Sequence, residues 1–184
     1  MKIFNEQLTS TLEGTIIDIE SIGDFNNSHP DHDSRQYIDI IPVIFGTINN
    51  KEITILYASE EKEIEELKHN IKQIIDRLNK PFHAFNTRYE TGVLFHSCGI
   101  TTQFEREINA FPREKKKFTV ENLGIPNYED PFYDDGNQCR LTWLSGKENI
   151  EQCIKHNRSC LLKERDILLL RGHRKPDKLE LNSV

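Results

Sequence analysis

Three runs rich in β-branched residues come first in the chain, and a helical period replaces them; that order constrains the fold more than any other feature. Glu13–Ser21 (EGTIIDIES) reads as a strand. Gly23–Ser34 is polar and full of turn formers, and reads as a loop. Tyr37–Ile48 is almost continuously apolar, which suits a central strand covered on both faces. Pro42 within it has no N–H to donate and marks a bulge or an edge. Asn49-Asn50 is a tight-turn pair, and Lys51–Ala58 returns as a third strand. Together these runs predict an antiparallel three-strand meander.

Ser59 is placed as a helix N-cap, with Glu60 and Glu61 suited to the positive helix end. Ile64, Leu67, Ile71, Ile74, Ile75 and Leu78 recur at helical spacing, and Pro81 stops the helix. Phe82–Phe85 is a short strand candidate, and Thr87–Cys98 is a helix ending at Gly99. A last helix spans Lys147–Leu170 after Gly146. Between Thr101 and Cys139 no period is evident: a basic run, Arg113–Lys117, precedes an acidic turn-rich segment, Pro126–Gly136, that reads as a solvated loop. Three strands, a helix, a strand and further helices form the element order of the ribonuclease H-like α/β fold, a central mixed sheet flanked by helices; the likeness is one of fold alone.

The 184 residues fit one domain, with a core over about 13–170 and a basic tail over 171–184. No apolar run approaches the ~20 residues that a membrane-crossing helix needs. Met1–Ser10 lacks the apolar stretch of a secretory leader, and the four cysteines include no CxxC pair. The expectation is a cytoplasmic protein in a reducing compartment, with no membrane partner. A net charge of −6 argues against a protein that coats nucleic acid, and leaves room for an enzyme that grips a few phosphates.

Candidate chemistry begins at Asp18-Ile19-Glu20 on the first strand. Side chains alternate across a strand, so both carboxylates share one face. Adjacent carboxylates raise each other's pKa unless a cation sits between them, and their oxygens suit Mg²⁺ or Mn²⁺. A second segment runs His83-Ala84-Phe85-Asn86-Thr87-Arg88-Tyr89-Glu90, in which a short strand leads to Asn86 and Glu90 follows one turn inside a helix. A third is the last helix, where Trp143-Leu144-Ser145-Gly146 precedes a stretch containing His156 and Cys160. Ile150, Cys153, Ile154, Asn157, Cys160, Leu161 and Glu164 share one face of that helix. A carboxylate on an otherwise apolar face needs a partner, which singles out Glu164.

In their order, these segments resemble the DEDD-type 3′–5′ exonuclease superfamily over about residues 15–164. That resemblance implies a metal-dependent nuclease that hydrolyses DNA or RNA at a single strand or 3′ end, with two Mg²⁺ or Mn²⁺ ions. It implies Asp18, Glu20 and Glu90 as metal ligands and His156 as the base, with Glu20 also at the catalytic centre. The family's last acid falls on Cys160, a departure; Glu164, one turn later, is the alternative fourth ligand. Asn86, Arg158 and Lys163 are placed as substrate-binding residues, the two cations for their reach to phosphate. A rival reading from another class is a domain that has lost catalysis and binds nucleic acid or protein. Cys139, Cys153, His156 and Cys160 also form a candidate zinc set, though without the paired C-x₂₋₄-C spacing; buried cysteines acting as small hydrophobes explain them more simply.

Overall fold

The structure is a computed structural model and describes residues 2–183. It opens with a strand the sequence pattern does not announce. β1 (Lys2–Gln7, KIFNEQ) pairs antiparallel with β4 (Glu52–Tyr57) from Lys2 opposite Tyr57 to Gln7 opposite Glu52. It lies at the sheet edge with most of its residues outside the core, so its composition is polar. The other strands are β2 (Thr15–Ile22), β3 (Ile41–Ile48), β5 (Phe82–Ala84) and β6 (Arg106–Glu107).

The six strands form one mixed sheet in the order β1-β4-β3-β2-β5-β6. β2, β3 and β4 make the expected antiparallel meander, and β5 and β6 continue it in parallel. Residues on both faces of the central strands are buried: Ile16 and Asp18 on one, Ile17 and Ile19 on the other. Helices α1 (Ile64–Ile75) and α2 (Thr87–Cys98) pack together against the sheet, as do α4 (Gly136–Leu144) and α5 (Ile150–Arg171). A shorter helix, α3 (Lys116–Leu123), rests on α5.

Several local expectations are corrected. The central strand begins at Ile41, because Ser34–Tyr37 coils into a 3-10 turn whose cap is Asp33: its carboxylate accepts from the Arg35 N–H. Pro42 sits opposite Ser21 at a register shift between Glu20 and Ser21, so the strand bulges where proline offers no N–H. Ser59 is not an N-cap. Helix α1 starts after a 3-10 turn at Glu61–Glu63, and Glu63 instead accepts from the N–H and hydroxyl of Ser59 at 2.8 and 3.0 Å. Leu78 lies beyond the helix end.

Glycine at 46 is required by packing. A Cβ there would lie 1.9 Å from Oδ1 of Asn157 and 2.9 Å from Cδ1 of Leu161, so α5 seats directly on the sheet at this point. Trp143 fixes α4 by donating from Nε1 to the carbonyl of Ala58 at 2.7 Å. The C-terminal segment is not a free basic arm: Arg171 pairs with Glu114, Arg174 with Glu107 and Asp177, and Glu180 bridges to Asp33. No helix among the described residues is long and apolar enough to cross a membrane.

Candidate metal centre

Asp18 and Glu20 project from the middle of β2 toward α5, beside the glycine-floored contact. Asn157 of α5 spans that contact. Its Nδ2 donates to Oδ2 of Asp18 at 2.7 Å and to the Asp18 carbonyl at 3.2 Å, which fixes the carboxylate's orientation. Glu164, two helical turns further on, has a fully buried side chain, rather than reaching solvent or pairing with Arg165 or Arg171. Glu90 comes from the first turn of α2 and is buried too. The structure therefore draws Asp18, Glu20, Glu90 and Glu164 from three elements into one region.

A residue unassigned by the sequence reading lies among them. Lys116, first residue of α3, sits 3.3 Å from Oδ1 of Asp18, pairs with Glu164, and lies 5.5 Å from the centre of the Phe85 ring. It belongs to the basic run Arg113–Lys117, but its side chain is only 17% exposed. Burial opposes its charge, yet Asp18, Cys160 and Glu164 together hold the ammonium well above its ordinary pKa.

One ammonium does not satisfy these acids. Oε2 of Glu90 and Oε2 of Glu164 are buried with no hydrogen-bond partner. Burial and then the charges of Asp18 and Glu164 push Glu90 well above the carboxylate range. Burial raises Glu164 likewise, only partly offset by Lys116. Glu20 is pushed up to about 7, by burial against the opposing pull of His156 and with a further push from Asp18. Buried carboxyl oxygens without partners are costly, and a hard divalent cation is the partner whose donor preferences they match. Asp18, Glu90 and Glu164 lie near enough for their charges to act on one another, but their oxygens do not all come within 4.8 Å of one another, so an ion held by all three would have to draw them together.

The second half of the site is built on His156. Its Nδ1–H donates to Oδ1 of Asp130 at 2.8 Å, while Nε2 faces Oε1 of Glu20 at 3.6 Å and Sγ of Cys160 at 3.7 Å. Asp130 lies in the acidic segment read as a solvated loop, and the structure corrects that: its side chain is fully buried. Oδ1 also accepts from Phe132 N, and Oδ2 accepts from Asp134 N and the Lys163 ammonium. Burial disfavours a charged imidazole, but Cys160, Glu20 and Asp130 outweigh it and push His156 up to about 12. His156 is therefore fixed in orientation by Asp130, with its Nε2 facing Glu20 and Cys160.

The other expected contacts separate. Lys163 has no exposed side-chain area and donates to Asn127, Asp130 and Asp134, so it is a buried counter-ion and not a phosphate ligand. Arg158 is committed to Glu6. Asn86 is exposed and lines a cleft of about 340 Å³ with Arg88, Arg113 and Phe25. Phe25 also lines a second cleft of about 430 Å³, onto which Glu20, Tyr89 and Arg140 open. The four-residue soft-metal set does not assemble: among the described residues Cys160 and His156 group within ligand distance with Glu20, not with Cys139 and Cys153. Cys153 instead points to the Cys139 carbonyl at 3.6 Å.

Comparison of the chain with known protein families, with curated proteins and with solved structures finds no match to any of them.

Proposed function

We propose that the chain has a ribonuclease H-like fold and is a metal-dependent nuclease, acting as a 3′–5′ exonuclease on DNA or RNA. Support for the fold comes from the sheet order, an antiparallel meander extended by two parallel strands, with Asp18 and Glu20 on β2, where the two parts meet. The observation that carries the function is the convergence of Asp18, Glu90 and Glu164 on a buried region where two carboxyl oxygens lack partners. Bound Mg²⁺ or Mn²⁺ would supply Lewis acidity to a phosphodiester and a water of lowered pKa.

The chain's own residues do the rest. Asn157 orients Asp18. Glu20, which lines the 430 Å³ cleft, is the acid nearest an incoming strand. Arg88 adds positive charge along the path that passes Phe25, whereas Arg140 and Arg113 are paired with Asp24 and Asp31, carboxylates that a phosphate would have to displace. Lys116 neutralises part of the acid charge and keeps the fold tolerable before metal arrives.

The same lysine favours a second reading, a binding domain in which Lys116 has taken the place of a metal ion. The two separate cleanly. Labelled single-stranded DNA and RNA should be shortened with Mn²⁺ or Mg²⁺, left intact with EDTA, and left intact by Asp18→Asn. A folded protein inert on both polymers with either metal would decide for the binding domain.

A further inference from the structure

We infer that Glu20, His156 and Cys160 form a distinct site for a borderline-soft transition-metal ion of the zinc class, with one coordination position open to the cleft. The three ligand atoms lie within 4.8 Å of one another. Oε1 of Glu20 stands 3.6 Å and Sγ of Cys160 3.7 Å from Nε2 of His156. A tetrahedral ion bound at about 2.0–2.3 Å to oxygen, nitrogen and sulfur sets its ligands roughly 3.3–3.6 Å apart, so the two distances to His156 need only a few tenths of an ångström, and Glu20 and Cys160, within 4.8 Å of each other, close the third side.

What lifts this above a chance meeting of polar side chains is the group behind the histidine. Metal-binding histidines donate their second ring N–H to a carboxylate, which fixes the tautomer and aims the other nitrogen at the ion. Asp130 does this to Nδ1 of His156 at 2.8 Å. Both Asp130 oxygens are otherwise occupied, by the Phe132 and Asp134 N–H groups and the buried Lys163, so Asp130 is locked as an orienting group. A chain that buries a lysine, two loop amides and an aspartate to hold one imidazole is fixing where its free nitrogen points.

The donor set selects the ion. Thiolate and imidazole favour Zn²⁺, Co²⁺ or Fe²⁺ over Mg²⁺, whereas the acids around Lys116 offer oxygen alone. Binding displaces the Cys160 thiol proton and any proton on Nε2 to solvent, since both ligands coordinate deprotonated. Three protein ligands leave a fourth position, and because Glu20, one of the three, lines the 430 Å³ cleft, that position faces the cleft. The site goes beyond the nuclease reading, because it stands whether or not the protein cleaves phosphodiesters.

Co²⁺ titration of the metal-free protein under reducing conditions tests it. One equivalent should give a near-ultraviolet thiolate-to-cobalt charge-transfer band with tetrahedral visible absorption, and Zn²⁺ should abolish both. A variant with Cys98, Cys139 and Cys153 changed to Ser, leaving Cys160 as sole thiol, should keep the band; Cys160→Ser, checked for folding by circular dichroism, should lose it. No band in the wild type, or a band that survives folded Cys160→Ser, overturns the site. If Cys160→Ser does not fold, the sole-thiol variant decides, since loss of its band while folded overturns the proposal. Asp18→Asn should keep the cobalt band while losing Mn²⁺-dependent cleavage, so the two readings fail independently.

Discussion

The ammonium of Lys116 lies 3.3 Å from Oδ1 of Asp18, at the centre of a group of buried acids from β2, α2 and α5. An ammonium brings one charge and three donors to a region that holds more carboxyl oxygens than it can satisfy. The fold is thus a compromise: some acids keep protons, and one lysine balances part of the rest. A divalent ion would compete with Lys116 for the same oxygens.

Lys116→Met should accordingly destabilise the metal-free protein by roughly 3–5 kcal/mol at neutral pH, the usual cost of stripping one partner from a buried pair. Mn²⁺ should restore more stability to this variant than to the wild type. Thermal unfolding with and without the ion checks both. An equal Mn²⁺ shift in the two proteins would show that Lys116 and the ion do not share a site.

The acids also dictate a pH dependence. Glu20, pushed up to about 7, and Glu90 and Glu164, raised in the same direction, hold protons in the fold that the unfolded chain gives up near 4.5. Stability from a raised carboxyl is complete below the unfolded pKa and is lost as pH climbs through the folded one. In EDTA the unfolding midpoint should therefore fall as pH rises from about 4.5 past 7. In Mn²⁺ that decline should flatten or reverse, because the ion binds the deprotonated carboxylates. A midpoint in EDTA that is constant or rising over this window would refute the raised acids.

Gly46→Ala probes the seat of α5. The added methyl meets Asn157 and Leu161, so Asn157 should be driven off Asp18. The expected loss is about 1–3 kcal/mol, as for other overpacked contacts. Mn²⁺ affinity should drop alongside it. Unchanged stability in a denaturant titration would mean that α5 is free to shift.

Asp130→Asn should cost roughly 3–5 kcal/mol, because it leaves Lys163 and His156 facing a neutral amide in a fully buried setting. Glu129→Gln, beside it in sequence but exposed, should change stability by less than about 0.5 kcal/mol. Comparable effects from the two would argue that the segment is solvated after all.

Much of the frame was legible because it follows local period. The meander and the α1 and α2 helices carry β-branched alternation or 3.6-residue spacing, and Gly99 closes α2 in the left-handed conformation it favours. β1 was not legible: an edge strand mostly outside the core needs no apolar pattern, and Lys2–Gln7 has little. Asp18 and Glu20 could be named from strand alternation, Glu90 from the family resemblance, and Glu164 from its place on an apolar face. Lys116 and Asp130 could not. Each sits in a run of like charge whose ordinary fate is solvent, and only the fold of residues 101–139 over α5 turns Lys116 of one run, and Asp130 and Asp134 of the other, inward. Lys163 failed in the same sense, since a lysine on this helix looks solvent-facing until its three oxygen partners are seen.

The central claim, that these acids hold a divalent cation, is met most directly by calorimetric titration of Mn²⁺ into the metal-free protein and into folded Glu90→Gln and Glu164→Gln. The account predicts saturable binding by the wild type and at least about tenfold weaker binding by each variant, equivalent to roughly 1.4 kcal/mol. No binding by the wild type, or equal affinity in all three proteins, would contradict it.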